Sequence, residues 1–246
     1  MRETDPGQKS SVDAHARRVR DMFARISPRY DLLNHLLSGN IDKRWRRSLV
    51  EKLRPLLSPG AEVLDVACGT GDLSIALFEN IGARVTGVDF CRPMLEIAAR
   101  KQSRIAFVEG DALQLPFGNE AFDAVTIAFG LRNLSSVEEG LSELRRVLKP
   151  KGWVAILEFS KPVVPGFRSV AAAYCTRLLP RIGGMISGSR SAYEYLPDSV
   201  SRFPDQETLS GMMTDAGFAD VGFDNLTGGV AALHTGRRTG LVAAFG

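Results

Sequence analysis
The chain has 246 residues, 44% of them hydrophobic and 24% charged, with a net charge of +3. That is enough apolar content for one substantial core, and a single α/β domain is the usual outcome at this length. No apolar run approaches the ~20 residues that span a bilayer, and the polar start Met1-Arg-Glu-Thr-Asp-Pro lacks the apolar stretch of a cleaved signal.

Residues 1–13 are polar, and helical spacing then runs through Val19, Met22, Phe23 and Ile26 to Pro28. It resumes through Leu32, Leu33, Leu36 and Leu37, and again through Trp45, Leu49, Leu53 and Leu56. These segments are expected to form a helical cap over residues 1–58. Residues 1–60 carry 13 Lys/Arg against 7 Asp/Glu, and Asp42-Lys-Arg-Trp-Arg-Arg47 is the densest part. The run reads as a solvated helix face, with anionic lipid head groups as the functional alternative. No aromatic-stacking module accompanies it, which argues against nucleic acid.

The most informative stretch follows. Glu62-Val-Leu-Asp-Val66 is a buried-type strand that runs into Cys68-Gly69-Thr70-Gly71-Asp72 and then into helical spacing from Leu73 to Phe78. Glycines are needed where backbone turns sharply and a ligand lies against bare peptide groups at a helix N-terminus. This is a nucleotide-binding turn of the doubly wound kind, but Ser74 stands where a dinucleotide fingerprint has its third glycine. Asp65 and Asp72 would repel a pyrophosphate. S-adenosylmethionine (SAM), with a sulfonium, an ammonium and no phosphate, suits the turn better. The second strand, 83–90, ends at Asp89, 24 positions after Asp65 and near the ~20-residue offset at which an acid meets ribose hydroxyls.

A third strand, 105–109, ends at Gly110-Asp111-Ala112, where Asp111 would accept from the adenine amino group and Ala112 present its N–H. A fourth covers 121–128. A helix with Leu141, Leu144, Val147 and Leu148 stops at Lys149-Pro150-Lys151-Gly152, and a fifth strand covers 153–159. Strands alternating with helices give a parallel sheet covered on both faces, so the SAM-binding core is expected over 59–161. Residues 162–204 interrupt the rhythm with an insert apolar enough to line a greasy substrate site, through Val163, Val164, Phe167, Val170 and Leu178 among others. A helix at 205–216 and strands near Phe218–Asp224 and Gly229–Arg237 close the sheet up to 238, ahead of a short tail at 239–246. Cys68, Cys91 and Cys175 cannot all pair internally and lack metal-ligand spacing, which favours a reducing cytoplasm. His15, His35 and His234 likewise form no metal or catalytic spacing, so no metal is expected.

The succession of glycine turn, strand-two acid, Asp-Ala pair and Leu-Lys-Pro-x-Gly before strand five resembles the class I SAM-dependent methyltransferases. Within them the chain is similar to the UbiE group, the C-methyltransferases of menaquinone and ubiquinone biosynthesis. Tyr30-Asp-Leu-Leu-Asn34 with Leu37-Ser38 and Trp45 resembles that group's first signature, and Arg146 through Ser160 its second. Phe129-Gly-Leu-Arg-Asn133, Tyr193 through Ser199, and Phe203-Pro204 are also similar. Leu33 replaces the signature's Met, Asp42 its His, Lys151 a Gly or Met, and Ala128 a serine counted in the cofactor pocket.

The resemblance implies a Rossmann-like, mainly parallel seven-stranded sheet with an antiparallel last strand. It also implies transfer of a methyl group from SAM to a lipophilic demethylated quinol, converting a demethylmenaquinol to a menaquinol, with the ubiquinone precursor a further substrate. A hydroquinone carbon attacks the methyl only when its hydroxyl is deprotonated or strongly hydrogen-bonded, so the protein supplies orientation, a base and dryness. Arg132 and Asn133, after strand four, are expected to hold phenolic oxygens, the alternative for Arg132 being an ion pair with a carboxylate in the loop. Tyr30 and Asn34 on the cap are expected to meet the substrate. Asp31 is the acid preferred as general base, and Tyr195 is the polar candidate in the insert. Contact with a membrane surface fits the basic N-terminal region. The oligomeric state stays open, a homodimer included.

Overall fold
The structure, a computed structural model, describes residues 17–164 and 190–240. The polar N-terminus, His15, Cys175, most of the apolar insert and the end of the tail lie outside the described residues.

The first helix, α1, runs through 17–26 and passes by way of Ser27–Arg29 into α2, Tyr30–Leu37. Gly39 and Asn40, both left-handed, turn the chain into α3, Ile41–Leu53. Then come β1 (Glu62–Val66), α4 (Asp72–Ile81), β2 (Arg84–Asp89), α5 (Arg92–Lys101), β3 (Ala106–Glu109) and β4 (Phe122–Ala128). The remainder is α6 (Val137–Val147), β5 (Leu148–Phe159), α7 (Arg190–Arg202), α8 (Gln206–Asp215), β6 (Phe218–Leu226) and β7 (Ala231–Arg238). The seven strands form one sheet in the order β3-β2-β1-β4-β5-β7-β6. The first five pair in parallel, and β7 lies antiparallel between β5 and β6. This is the seven-stranded sheet with an antiparallel last strand that the sequence implied.

The core sits on both faces because strand side chains alternate. Leu64, Val66, Val125 and Ile127 point into one layer, where they meet Leu141 and Leu144 of α6 and Leu209 and Met213 of α8. Val63, Ala124, Ala155 and Leu157 point into the other, against Leu49 and Leu53 of α3 and Leu73 and Leu77 of α4. Leucines buried this completely contribute roughly 2 kcal/mol each. Helix α6 is specified locally as well. Ser136 caps it by accepting from the Glu139 N–H, Glu138 and Glu139 occupy the first turn, and Arg145 and Arg146 the last, matching the helix dipole.

Two elements differ from what the sequence pattern predicts. Strand β5 starts at Leu148, not 153, and runs through Lys149-Pro150-Lys151-Gly152 with a register shift opposite Phe122 to Ala124. Lys151 holds φ +66 there, so this departure from a glycine falls on a left-handed residue, a backbone glycine adopts more cheaply. Helix α5 has no marked signal in the sequence pattern; Pro93 starts it and Met94, Leu95 and Ala98 bury one face.

Candidate functional site
In an open α/β sheet, ligands sit outside the carboxyl ends of the strands where the strand order reverses. Here β1 has β2 on one side and β4 on the other. A cavity of about 510 Å³ opens at that point, lined by the residues that follow β1, β2, β3 and β4 and covered by α1 and α2. Its volume lies within the range of small-molecule sites. Two non-glycine residues on its wall, Ala67 after β1 and Phe129 after β4, are left-handed at φ +52 and +58. Such strain costs roughly 1–3 kcal/mol per residue and persists only where the surroundings enforce it. Phe129 is held through its carbonyl, which accepts from Arg132 and from Asn133 Nδ2.

Gly69, Asp89, Asp111, Ala112, Tyr30 and Asn133 all line this cavity. Gly69 is left-handed at φ +56, and an added Cβ would meet only Met94 Sδ at 3.7 Å and Tyr30 Cε1 at 4.0 Å. Its open side therefore faces the space where a ligand lies. Asp89 accepts from the Gly69 N–H at 2.9 Å through Oδ2 and from the Cys91 N–H at 2.8 Å through Oδ1. Each oxygen keeps a further acceptor site, which suits a ribose diol. Burial pushes the Asp89 carboxyl up to about 6, against the backbone hydrogen bonds that lower it. Asp111 Oδ1 accepts from Leu113 N–H at 2.9 Å, which fixes the turn around the buried Ala112. The groups present thus fit the adenosyl and ribose parts of SAM.

Tyr30 sits between the glycine turn and α1, with its ring edge-on to Phe23 at 6.0 Å. Burial raises its pKa, opposed first by a hydrogen bond with Asn34. Asn34 therefore supports Tyr30 and is not itself on the cavity wall. At the far end, Asn133 Oδ1 accepts from the Tyr195 hydroxyl of α7 at 3.1 Å. Burial raises the Tyr195 pKa too, so its phenol stays protonated near neutrality.

Other candidates are placed elsewhere, each for a physical reason. Asp65 shares strand parity with Val63 and so points under α4. Its oxygens accept from Ser74 Oγ at 2.6 Å and Thr126 Oγ1 at 2.9 Å, and burial raises its pKa to about 6. It anchors the turn from below. Gly71, at φ +82, faces Ala98 and Phe107, which an added Cβ would approach to 3.0 and 3.1 Å; it serves helix packing, not ligand approach. Thr70 is buried and donates to Asp31. Asp31 also pairs with Lys101 Nζ at 2.6 Å, and Lys101 with Asp72 at 2.8 Å. Asp31 thereby clamps α2 onto the glycine turn and is not among the residues of the cavity wall.

Arg132 lies off the cavity wall. It pairs with Glu158 of β5, at 2.8 Å, and its guanidinium lies 5.2 Å from the Phe159 ring centre. The side chains are 8% and 1% exposed, yet the guanidinium charge still acts on the Tyr30 and Tyr195 hydroxyls, whose ionisation it favours, and its buried Nε has no partner among the described residues. On the cap, Asp42 accepts from Ser38, Arg46 and His35. Burial opposes ionisation there, but these partners hold the Asp42 carboxyl below the usual range. The residues missed in the sequence are Arg17, Arg20 and Phe23 of α1, Met94, Glu109 and Phe129, all on the cavity wall. The spacing of 17, 20 and 23 along one helix face was the available signal.

Known proteins resemble this chain in sequence and in fold. The chain is 51% identical to a demethylmenaquinone methyltransferase of Thermus thermophilus over 88% of its own length and 100% of that protein. It is 45% identical to a ubiquinone/menaquinone biosynthesis C-methyltransferase UbiE of Citrifermentans bemidjiense, over 90% of this chain and 96% of the other. Among solved structures, the [4+2]-cyclase SpnF shares the fold at a TM-score of 0.66 and 19% identity, covering 90% of this chain and 95% of that one. A SAM-dependent methyltransferase of Thermotoga maritima does so at 0.61 and 19%, covering 89% and 99%. A cyclase and a methyltransferase on one fold show that the fold alone does not set the reaction. The family is set by the sequence match over residues 11–238: the chain belongs to the ubiE/COQ5 methyltransferase family.

Proposed function
We propose that this protein is a SAM-dependent C-methyltransferase of quinone biosynthesis that converts a demethylmenaquinol to a menaquinol. One observation carries the reading beyond family membership. The cavity is chemically two-ended, with Asp89, Glu109 and Asp111 on one rim and Phe129, Leu134 and Asn133 on the other, Asn133 being backed by a hydrogen bond from Tyr195.

SAM, when bound, supplies an electrophilic methyl group. The acidic rim holds the ribose through Asp89 and the adenine through Asp111 and the Ala112 N–H. The other end takes the quinol ring against Phe129 and Leu134. Among the described lining residues that end has no carboxylate or imidazole. One quinol hydroxyl gives up its proton to solvent before methyl transfer, and the Tyr195 hydroxyl, turned from Asn133 Oδ1, and Asn133 Nδ2 donate to the resulting phenolate oxygen. The phenolate pushes its electron pair through the ring so that the neighbouring carbon takes the methyl from sulfur, and the ring proton at that carbon then leaves to water as aromaticity returns. Such preorganised donors act by favouring the reactive phenolate over the neutral quinol. Asp31, Thr70, Lys101 and Asp72 keep α2, and with it Tyr30, seated over the glycine turn.

The enzyme works in the cytoplasm against the membrane in which its substrate dissolves. No described helix is long and apolar enough to cross a membrane. Helix α2 exposes Leu32 and Leu36 at 60% and 55%, and α3 exposes Lys43, Arg44 and Arg47. Apolar side chains beside cations favour an anionic lipid surface, each cation adding ~1 kcal/mol. The reading is tested by quinone profiling of a bacterial strain lacking its own quinol C-methyltransferase and carrying this gene. Menaquinone should replace demethylmenaquinone; persistence of the demethylated quinone with soluble, SAM-binding protein present would overturn it.

A further inference from the structure
Helix α1 places Arg17, Arg20 and Phe23 on the cavity wall, three residues apart along one face. Arg17 and Arg20 are the cationic side chains on that wall among the described residues, and three carboxylates, Asp89, Glu109 and Asp111, stand with them. The two charge sets meet at one end. Arg20 and Glu109 both act electrostatically on Cys91, the residue that caps α5 and donates its N–H to Asp89. Arg20 therefore lies over the ends of β2 and β3, on the adenosyl side of the cavity.

That position matters because of how SAM carries its charge. Its sulfonium, ammonium and carboxylate all belong to the methionine end, whereas the purine and ribose are neutral. The acidic rim that meets the adenosyl group thus gains no counter-charge from the ligand, and the protein must provide it. A guanidinium is well matched to this place, being planar, permanently charged and able to lie flat against an aromatic face. We propose that Arg20 closes the adenosyl half of the cofactor site from the solvent side, its guanidinium across the bound purine and ribose, with Arg17 extending the same wall one turn earlier. The proposal rests on the assignment of the cavity to SAM. It also joins cofactor to acceptor chemistry. The ring of Phe23, on the same face of α1, meets Tyr30 edge-on, so seating Arg20 on the adenosyl group seats Tyr30 beside Gly69.

Calorimetry with two ligands tests this. S-adenosylhomocysteine carries the whole skeleton; 5′-methylthioadenosine carries the adenosyl group without the amino-acid charges. Arg20→Ala should weaken both by the same factor, roughly tenfold, and Arg20→Lys should restore little, since a point charge cannot lie flat. The ligand-free melting temperatures should match the wild type, because Arg20 is exposed. Loss of S-adenosylhomocysteine affinity with methylthioadenosine unaffected would overturn the proposal and pair Arg20 with the methionine carboxylate. Unchanged affinity for both would also overturn it. Failure of the wild type to bind either ligand would instead remove the SAM assignment itself.

Discussion
Arg132 offers the sharpest separation between a catalytic and a structural account. Its guanidinium is buried against Glu158 at 2.8 Å and supports the Phe129 carbonyl. Among the described residues, Arg132→Ala leaves Glu158 with two backbone donors, the N–H of residue 132 at 3.3 Å and the Phe159 N–H at 2.9 Å. Breaking a buried pair by removing one partner costs about 3–5 kcal/mol. In a chain of this size each kcal/mol lowers the melting temperature by roughly 2–4 °C, so a fall of about 6–20 °C is expected. Replacing both partners with apolar residues, Arg132→Met with Glu158→Leu, should recover at least half, because no buried charge is then left unpaired. Scanning calorimetry of the wild type and both variants gives the stability. Calorimetric SAM titration well below the transition should stay within about threefold of wild type, because Arg132 is not on the cavity wall. A hundredfold loss of methyl transfer with an unchanged melting temperature would refute this reasoning and return Arg132 to the acceptor.

Three further outcomes follow from the cavity. Asp89 has a folded pKa of about 6 against an ordinary 3.8. The ligand-free native state therefore binds more protons than the unfolded chain between those values, and Asp89 makes it less stable as pH rises through that window. SAM needs the ionised carboxylate, so its affinity should fall as pH drops below about 6, and calorimetry on Asp89→Asn should show weaker binding, by tenfold or more at pH ~7.5, with that pH dependence gone. Gly69→Ala should weaken SAM binding and lower the melting temperature by the strain of a left-handed alanine, about 1–2 kcal/mol or roughly 2–8 °C, whereas Gly71→Ala, whose Cβ also meets Ala98 and Phe107, should lower it further while disturbing the ligand less; thermal shift with and without SAM decides. Tyr195→Phe should reduce kcat about 10²–10³-fold with near-native SAM affinity, the cost of removing one preorganised donor.

The sheet was legible because its signals are local and periodic. The apolar runs of β1 and β4 and the glycine turn need no tertiary knowledge, and Asp89 and Asp111 announce themselves as acids at strand ends. What the pattern does not carry is direction. Asp65 lies in the right stretch of sequence, but counting alternate positions from Val63 sends it under α4 to Ser74. Gly69 and Gly71 look equivalent in the sequence, yet one opens on the cavity and the other on Phe107. Arg132 and Asn133 are neighbours, and a short helical turn at Leu131–Asn133 sends one inward to Glu158 and the other onto the cavity wall. Asp31 drew attention as an acid in a signature, but its partners Thr70 and Lys101 come from α2's packing against distant segments. The spacing of Arg17, Arg20 and Phe23 marks one face of α1, but what that face meets depends on how the helix lies across the strand ends.

The central claim is methyl transfer from SAM to a quinol carbon. The most direct measurement incubates the purified protein with SAM and a short-chain demethylmenaquinol kept reduced under anaerobic conditions, and follows both products by mass spectrometry. The account predicts S-adenosylhomocysteine and a ring-methylated quinol in equal amounts, with none formed from the oxidised quinone, whose carbon lacks the electron density to attack. S-adenosylhomocysteine formed without ring methylation, methylation on oxygen, or no turnover by protein shown to bind SAM would contradict it.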